Sequence, residues 1–204
     1  MTREIDPVCH AFLIDTSFYQ LLTRIDESLA EEVRARGCGC GGRLHSARYP
    51  RKPRGLRSAL DASYESRLSF CCSRDGCRRR HTPATVRFLG RKVYLGVIVV
   101  LITALHHGLT EAHRRQLIEA LDVPVQTLWR WRGWWREQFL QSRCWRGLAG
   151  QFIPPMLTDG LPGSMLERLD AKGLSERLVQ LLLLISPVTT ATGSLRVSAD
   201  PQKM

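Results

Sequence analysis

The 204-residue chain has no long hydrophobic run. Its longest, 93–105, falls short of the about twenty apolar residues that a bilayer-spanning helix needs. The opening residues Met1-Thr2-Arg3-Glu4-Ile5-Asp6-Pro7 carry acids and no apolar core, so nothing there reads as a secretory signal. These absences point to a cytoplasmic protein and argue against a membrane partner. Familiar enzyme signatures are missing too: there is no His-Glu-x-x-His, no phosphate-cradling glycine loop and no credible nucleophile triad. No catalytic residue is therefore expected. Acids are scarce in one block. Residues 36–92 hold fifteen Lys/Arg against three Asp/Glu, about +12 of a net +11, whereas residues 1–35 come to about −4 and 93–204 to +3. A basic block between less charged flanks fits a polyanionic partner better than a uniformly solvated surface.

What the chain does have is seven cysteines, five of them in two glycine-flanked groups about thirty residues apart. The first is Cys38-Gly39-Cys40-Gly41-Gly42 and the second Cys71-Cys72-Ser73-Arg74-Asp75-Gly76-Cys77. Structural disulfides are rare in a reducing compartment, so metal binding is the better reading. Two short turns, each carrying two sulfurs, can present thiolates to a tetrahedral metal. The expected ligands are Cys38, Cys40, Cys72 and Cys77. Neighbours on a strand face opposite ways, so only one of Cys71 and Cys72 should reach the metal, and Cys71 stays open as the alternative. His45 and His81 are reserve ligands. Four thiolates leave no position open for water, so the expected ion is a structural zinc that holds the fold. Cys9 and Cys144 stand alone and read as core or surface thiols.

Apolar spacing supplies the rest of the organisation. Phe18, Leu21, Leu22, Ile25, Leu29 and Val33 recur every three or four residues, predicting a packing helix over 15–36 that Gly37 ends. Strands are expected at 43–49 and 66–72, with a third at 85–89, and the basic stretch 50–55 between the first two reads as an extended loop. Residues 92–107 are apolar almost all round and should form a central helix. Thr110 is a good N-cap for a helix over 111–121, and Pro124 stands at the first turn of another over 125–140. Short helices are expected at 163–170 and 174–185. The fold class is thus α+β, a small four-cysteine zinc ribbon of short antiparallel strands followed by a helix-turn-helix domain. The expected parts are an N-terminal helical segment (1–36), the basic ribbon (37–90), the helix-turn-helix domain (91–146), a short helical tail (147–189) and a disordered tail (190–204).

In a helix-turn-helix the second helix lies in the major groove. Here it reads Val125-Gln126-Thr127-Leu128-Trp129-Arg130-Trp131-Arg132-Gly133-Trp134-Trp135-Arg136. Leu128, Trp131 and Trp135 form the expected buried stripe, with Trp129 and Trp134 partly exposed. Gln126, Thr127, Arg130 and Arg132 are candidate base or phosphate contacts. Arg51, Lys52, Arg54 and Arg57 of the loop, with Arg78, Arg79 and Arg80, are candidate phosphate contacts whose affinity should fall with salt.

The stretch Phe70-Cys71-Cys72-Ser73-Arg74-Asp75-Gly76-Cys77-Arg78-Arg79-Arg80-His81-Thr82-Pro83, followed by an apolar helix and a helix-turn-helix ending in Thr127-Leu128-Trp129-Arg130-Trp131, resembles the zinc-ribbon and helix-turn-helix region of bacterial insertion-sequence transposases and transposon accessory proteins. The resemblance covers about residues 36–140 and is one of architecture. It implies recognition of transposon-end double-stranded DNA in the nucleoid, beside a transposase or integrase subunit. The first cysteine pair departs from the usual Cys-x-x-Cys. Nothing after residue 140 looks like an RNase-H-type catalytic domain, because Asp159, Glu167, Asp170 and Glu176 fall in a proline- and glycine-broken helical tail. The expectation is therefore a non-catalytic accessory factor or regulator. An RNA-binding or protein-assembly ribbon is the alternative, and a transposase or nuclease the third class. The apolar stretch 178–185 could serve a homodimer.

Overall fold

The computed structural model describes residues 15–51, 62–89 and 124–190. The expected helices over 92–107 and 111–121, the loop residues Lys52, Arg54 and Arg57, Cys9 and the tail beyond Thr190 lie outside the described residues.

Helix α1 spans Thr16–Arg36. The Asp15 carboxylate caps it by accepting from the Ser17 N–H at 2.9 Å, which satisfies one orphan donor of the first turn. Gly37 ends it with φ at 68°, a left-handed conformation that costs glycine little. Its buried line is Phe18, Tyr19, Leu22, Asp26 and Ala30. That line is rotated from the expected stripe, leaving Leu21 41% exposed and bringing an acid inside.

The ribbon follows. Strands β1 (Leu44–Ser46), β4 (Phe70–Cys72) and β5 (Arg80–His81) form an antiparallel sheet in the order β1-β4-β5. Leu44 pairs with Cys72 and Phe70 with His81. Strands β2 (Tyr49–Pro50) and β3 (Ser66–Arg67) make a second antiparallel pair. The two expected long strands are thus each broken in two. Residues 85–89 form no ladder strand among the described residues, although Phe88 makes an isolated bridge. The reason lies in where their N–H groups go. Val86 donates to Asp26 at 2.7 Å, Thr85 to the Thr189 hydroxyl at 3.1 Å and Arg87 to the Thr85 hydroxyl at 3.1 Å.

Arg87 is the other buried charge of that contact. Its Nε donates to Asp26 Oδ2 at 2.7 Å, and its other nitrogens donate to the carbonyls of Tyr64 and Ser66. The guanidinium also lies against the rings of Tyr64 and Phe88, about 5 Å from each centroid. A charge so deeply buried is tolerable only when its partner and its N–H groups are all satisfied.

Helix α2 (Val125–Gly133) runs on as a π-helix over Trp134–Phe139, so the expected helix over 125–140 is present with a widened second half. Helices α3 (Arg143–Ala149), α4 (Gly163–Glu167) and α5 (Leu174–Ile185) complete the described chain. Trp131, Trp135 and Phe139 pack with Trp145, Met165 and the α5 residues Leu178, Leu181, Leu182 and Ile185 in a core that also takes Phe18, Tyr19 and Leu22 from α1. This core crosses the expected segment boundaries at 36 and 146. The stretch 178–185 thus spends its apolar face inside the chain, with Leu183 turned outward. A smaller cluster of Ala30, Leu44, Phe70, Cys38 and Cys72 joins the end of α1 to the β1-β4-β5 sheet. The architecture is α+β, mixed helix and small antiparallel sheets. Among the described residues no helix is long and apolar enough to cross a membrane.

Candidate metal centre and basic surface

Four sulfurs converge where the two cysteine groups meet. The Sγ atoms of Cys38, Cys40, Cys72 and Cys77 all lie within 4.8 Å of one another, close enough to bind one metal ion. Cys38 to Cys77 is 3.7 Å, Cys38 to Cys40 is 3.5 Å and Cys40 to Cys72 is 3.4 Å. Four thiolates on a tetrahedral ion with about 2.3 Å bonds would sit about 3.8 Å apart, so the donor set and its spacing fit such an ion.

The chain reaches this arrangement through two tight turns. In the first, the Gly41 N–H returns to the Cys38 carbonyl at 2.8 Å. In the second, the N–H groups of Cys77 and Arg78 return to the Arg74 carbonyl, and the Arg74 N–H points at Cys72 Sγ at 3.4 Å. Gly42 is a close approach rather than a conformational need. A Cβ there would come within 2.5 Å of Cys72 Sγ, 3.1 Å of Arg74 Cβ and 3.4 Å of Cys40 Sγ. The Arg74 guanidinium donates to the Cys40 carbonyl, tying the second turn to the first. The β1–β4 pairing then fixes the distance between the turns, since Leu44 and Cys72 are directly opposed.

Cys72 is fully buried and faces the cluster, whereas Cys71, its neighbour on β4, does not. The Cys71 thiol donates instead to the carbonyls of Arg78 at 3.5 Å and Cys72 at 3.8 Å. The alternation of a strand thereby selects one of the two cysteines left open in the sequence. His81 Nε2 lies 3.3 Å from Cys38 Sγ, so the ring stands beside the sulfur set without joining it. His45 is exposed on β1 opposite Cys71. Cys144 is a core thiol held by burial above its ordinary range.

The crowded thiols shift one another's acidity in opposite directions. The Gly42 backbone and hydrogen bonds from the other three thiols hold Cys40 down to about 6. Cys72 also accepts from the Arg74 N–H, which lowers it, yet burial and the same neighbouring thiols prevail and push it up to about 12. Thiols bind a metal as thiolates, so a divalent ion held by this set would displace protons from it.

Around the cluster the surface is basic. Arg74, Arg78, Arg79 and Arg80 are exposed. Arg78 pairs with Asp75 at 2.6 Å and sits at φ 41°, unusual for a residue with a side chain. Arg51 is half-buried against Tyr49, its Cζ 4.5 Å from the ring centroid, and donates to the Tyr49 hydroxyl. Arg80 lies near the same ring at 5.5 Å. On α2, Gln126 and Arg130 are exposed. Thr127 is buried, and its hydroxyl accepts from Arg130 Nη2 at 2.9 Å, so it is withdrawn from the surface on which a base contact was expected. Arg132 is half-buried and lies 5.5 Å from the Trp129 ring, while Trp129 is 50% exposed. The expected stripe holds for Trp131 and Trp135, and the Leu128 side chain lies outside the described residues.

Gly42 gives the site room, Arg74 bridges the turns and His81 stands against one sulfur. Gly42, as a glycine flanking the cysteines, and His81, as a reserve ligand, are visible in the sequence, whereas nothing in the sequence marks Arg74 as the bridge. No protein-family model, curated protein or solved structure matches the chain.

Proposed function

We propose that this chain is a non-catalytic DNA-binding protein, its ribbon folded around one zinc ion held by Cys38, Cys40, Cys72 and Cys77. The observation that carries the proposal is the convergence of four sulfurs within 4.8 Å beneath a surface bearing Arg74, Arg78, Arg79 and Arg80. Zinc suits a closed set of four sulfurs, supplies folding energy and leaves no coordination position for a reacting water. The arginines would then bind phosphate oxygens, alone or as forked pairs of donors. Helix α2 adds Gln126, Arg130 and Arg132. On this reading the protein serves a mobile genetic element as an accessory factor or regulator beside its transposase or integrase. That context rests on the resemblance of residues 36–140.

The test is a titration of duplex DNA against the zinc-loaded protein at several salt concentrations. Each phosphate neutralised contributes about −0.9 to the slope of log K against log salt. Replacing Arg78, Arg79 and Arg80 by alanine should flatten that slope by about 2 to 3 while zinc content stays the same. A slope near zero for the unmodified protein would remove the DNA-binding reading. Stronger competition by RNA than by DNA would move it to the RNA-binding class.

A further inference from the structure

Trp129 is placed as few tryptophans are. It is half exposed on a helix whose other described tryptophans, Trp131, Trp134 and Trp135, are buried or partly buried. Large exposed aromatics are uncommon because burying the ring is worth so much. The surroundings of this one are cationic. The Arg132 guanidinium lies 5.5 Å from its ring centroid, and Arg130 is exposed at the next position. Arg136, Arg143 and Arg146 are exposed further along, against one acid, Glu137, in residues 124–150. One turn on, at the i+4 position where a side chain would lie against the indole, stands Gly133, with nothing within 4 Å of the place a Cβ would occupy. The result is an aromatic ring with a cation at one side, open space at the next turn and several cations along the helix.

From this arrangement we infer that Trp129 is a stacking platform for an unpaired nucleobase, with Arg130, Arg132 and Arg136 taking the flanking phosphates. The inference rests on the DNA-binding reading and sharpens it: the preferred ligand is DNA carrying a bulged, melted or single-stranded base. Bases stack on an indole whatever their identity, and an arginine beside the ring adds a cation–π contact. A base within an intact duplex offers only its edge to a groove-bound helix, so a regular duplex leaves the ring unused.

The experiment compares the zinc-loaded full chain on two probes at one salt concentration: a 20-base-pair duplex, and the same duplex carrying a single unpaired 2-aminopurine. One stacked base should favour the bulged probe by about 5- to 150-fold. Trp129→Leu keeps an apolar side chain and should lose that preference, with duplex affinity within about twofold of the parent's, whereas Trp129→Phe should keep much of it. Zinc content and melting temperature verify that both variants are folded. Equal binding of the two probes by the parent protein would overturn the inference and leave the DNA-binding reading standing. So would Trp129→Leu losing affinity for both probes alike, which would assign the ring to duplex contact or to a protein partner. Binding of neither probe would end both readings.

Discussion

Replacing Gly42 by alanine adds one methyl group in the worst place the ribbon offers. The new Cβ would lie 2.5 Å from Cys72 Sγ and 3.1 Å from Arg74 Cβ, so something must move by about 1 Å to restore ordinary contact. Neither neighbour yields easily. Cys72 is fully buried and locked opposite Leu44 in the β1–β4 ladder, and Arg74 bridges the two turns through the Cys40 carbonyl. Metal–sulfur bonds tolerate errors of only about 0.2 Å, so a displaced Cys72 weakens or leaves the coordination sphere. Overpacking of this kind costs about 1–3 kcal/mol, about 5- to 150-fold in metal affinity where the strain falls on the bound state. Gly39, three residues earlier in the same turn, is the control, because a Cβ there meets nothing within 4 Å. Competition of each variant against a chromophoric zinc chelator measures the difference. Gly42→Ala should release zinc at lower chelator concentration and Gly39→Ala should match the parent. Equal affinities for all three proteins would refute the placement of Gly42 against the sulfurs, and with it the register of the site.

Cys40→Ser and Cys77→Ser should each abolish stoichiometric zinc binding and unfold the ribbon, while Cys71→Ser should keep one zinc per chain; elemental analysis and thermal melting of the three variants check this. Removing zinc with a strong chelator should abolish the near-ultraviolet signature of the ribbon and raise its protease sensitivity, both restored by added zinc. Asp26→Ala strands the buried Arg87 and should lower stability by about 3–5 kcal/mol in denaturant unfolding. Replacing both Asp26 and Arg87 by apolar residues should cost less than that single change, and an additive pair of losses would contradict the buried ion pair.

The cysteine groups were legible because glycine-flanked cysteines at short spacing have few other uses. Cys72 was the expected ligand, with Cys71 the open alternative, because the two differ only in which face of β4 they occupy, and that depends on pairing with residues 44–46. The helix over 125–140 was readable from its tryptophan spacing. The burial of Thr127 was not, as a hydroxyl at a helix start reads as polar surface. Residues 85–89 illustrate the main limit. Their alternation suggests a strand, but Asp26, about sixty positions earlier, takes the N–H of Val86 and the guanidinium of Arg87. One of four acids on an amphipathic helix, Asp26 gives no local sign of a distant arginine. For the same reason α1 is rotated from its expected stripe, bringing Asp26 inward and leaving Leu21 exposed.

On the proposed reading four cysteines close one zinc site that folds the ribbon. Native mass spectrometry of protein purified without a histidine tag, with elemental analysis of the same sample, decides this. One zinc per chain, a mass reduced by the protons of the coordinating thiols, and loss of the folded ribbon when the metal is stripped are expected. A metal-free protein that keeps the β1-β4-β5 sheet and melts unchanged with or without zinc would contradict that reading.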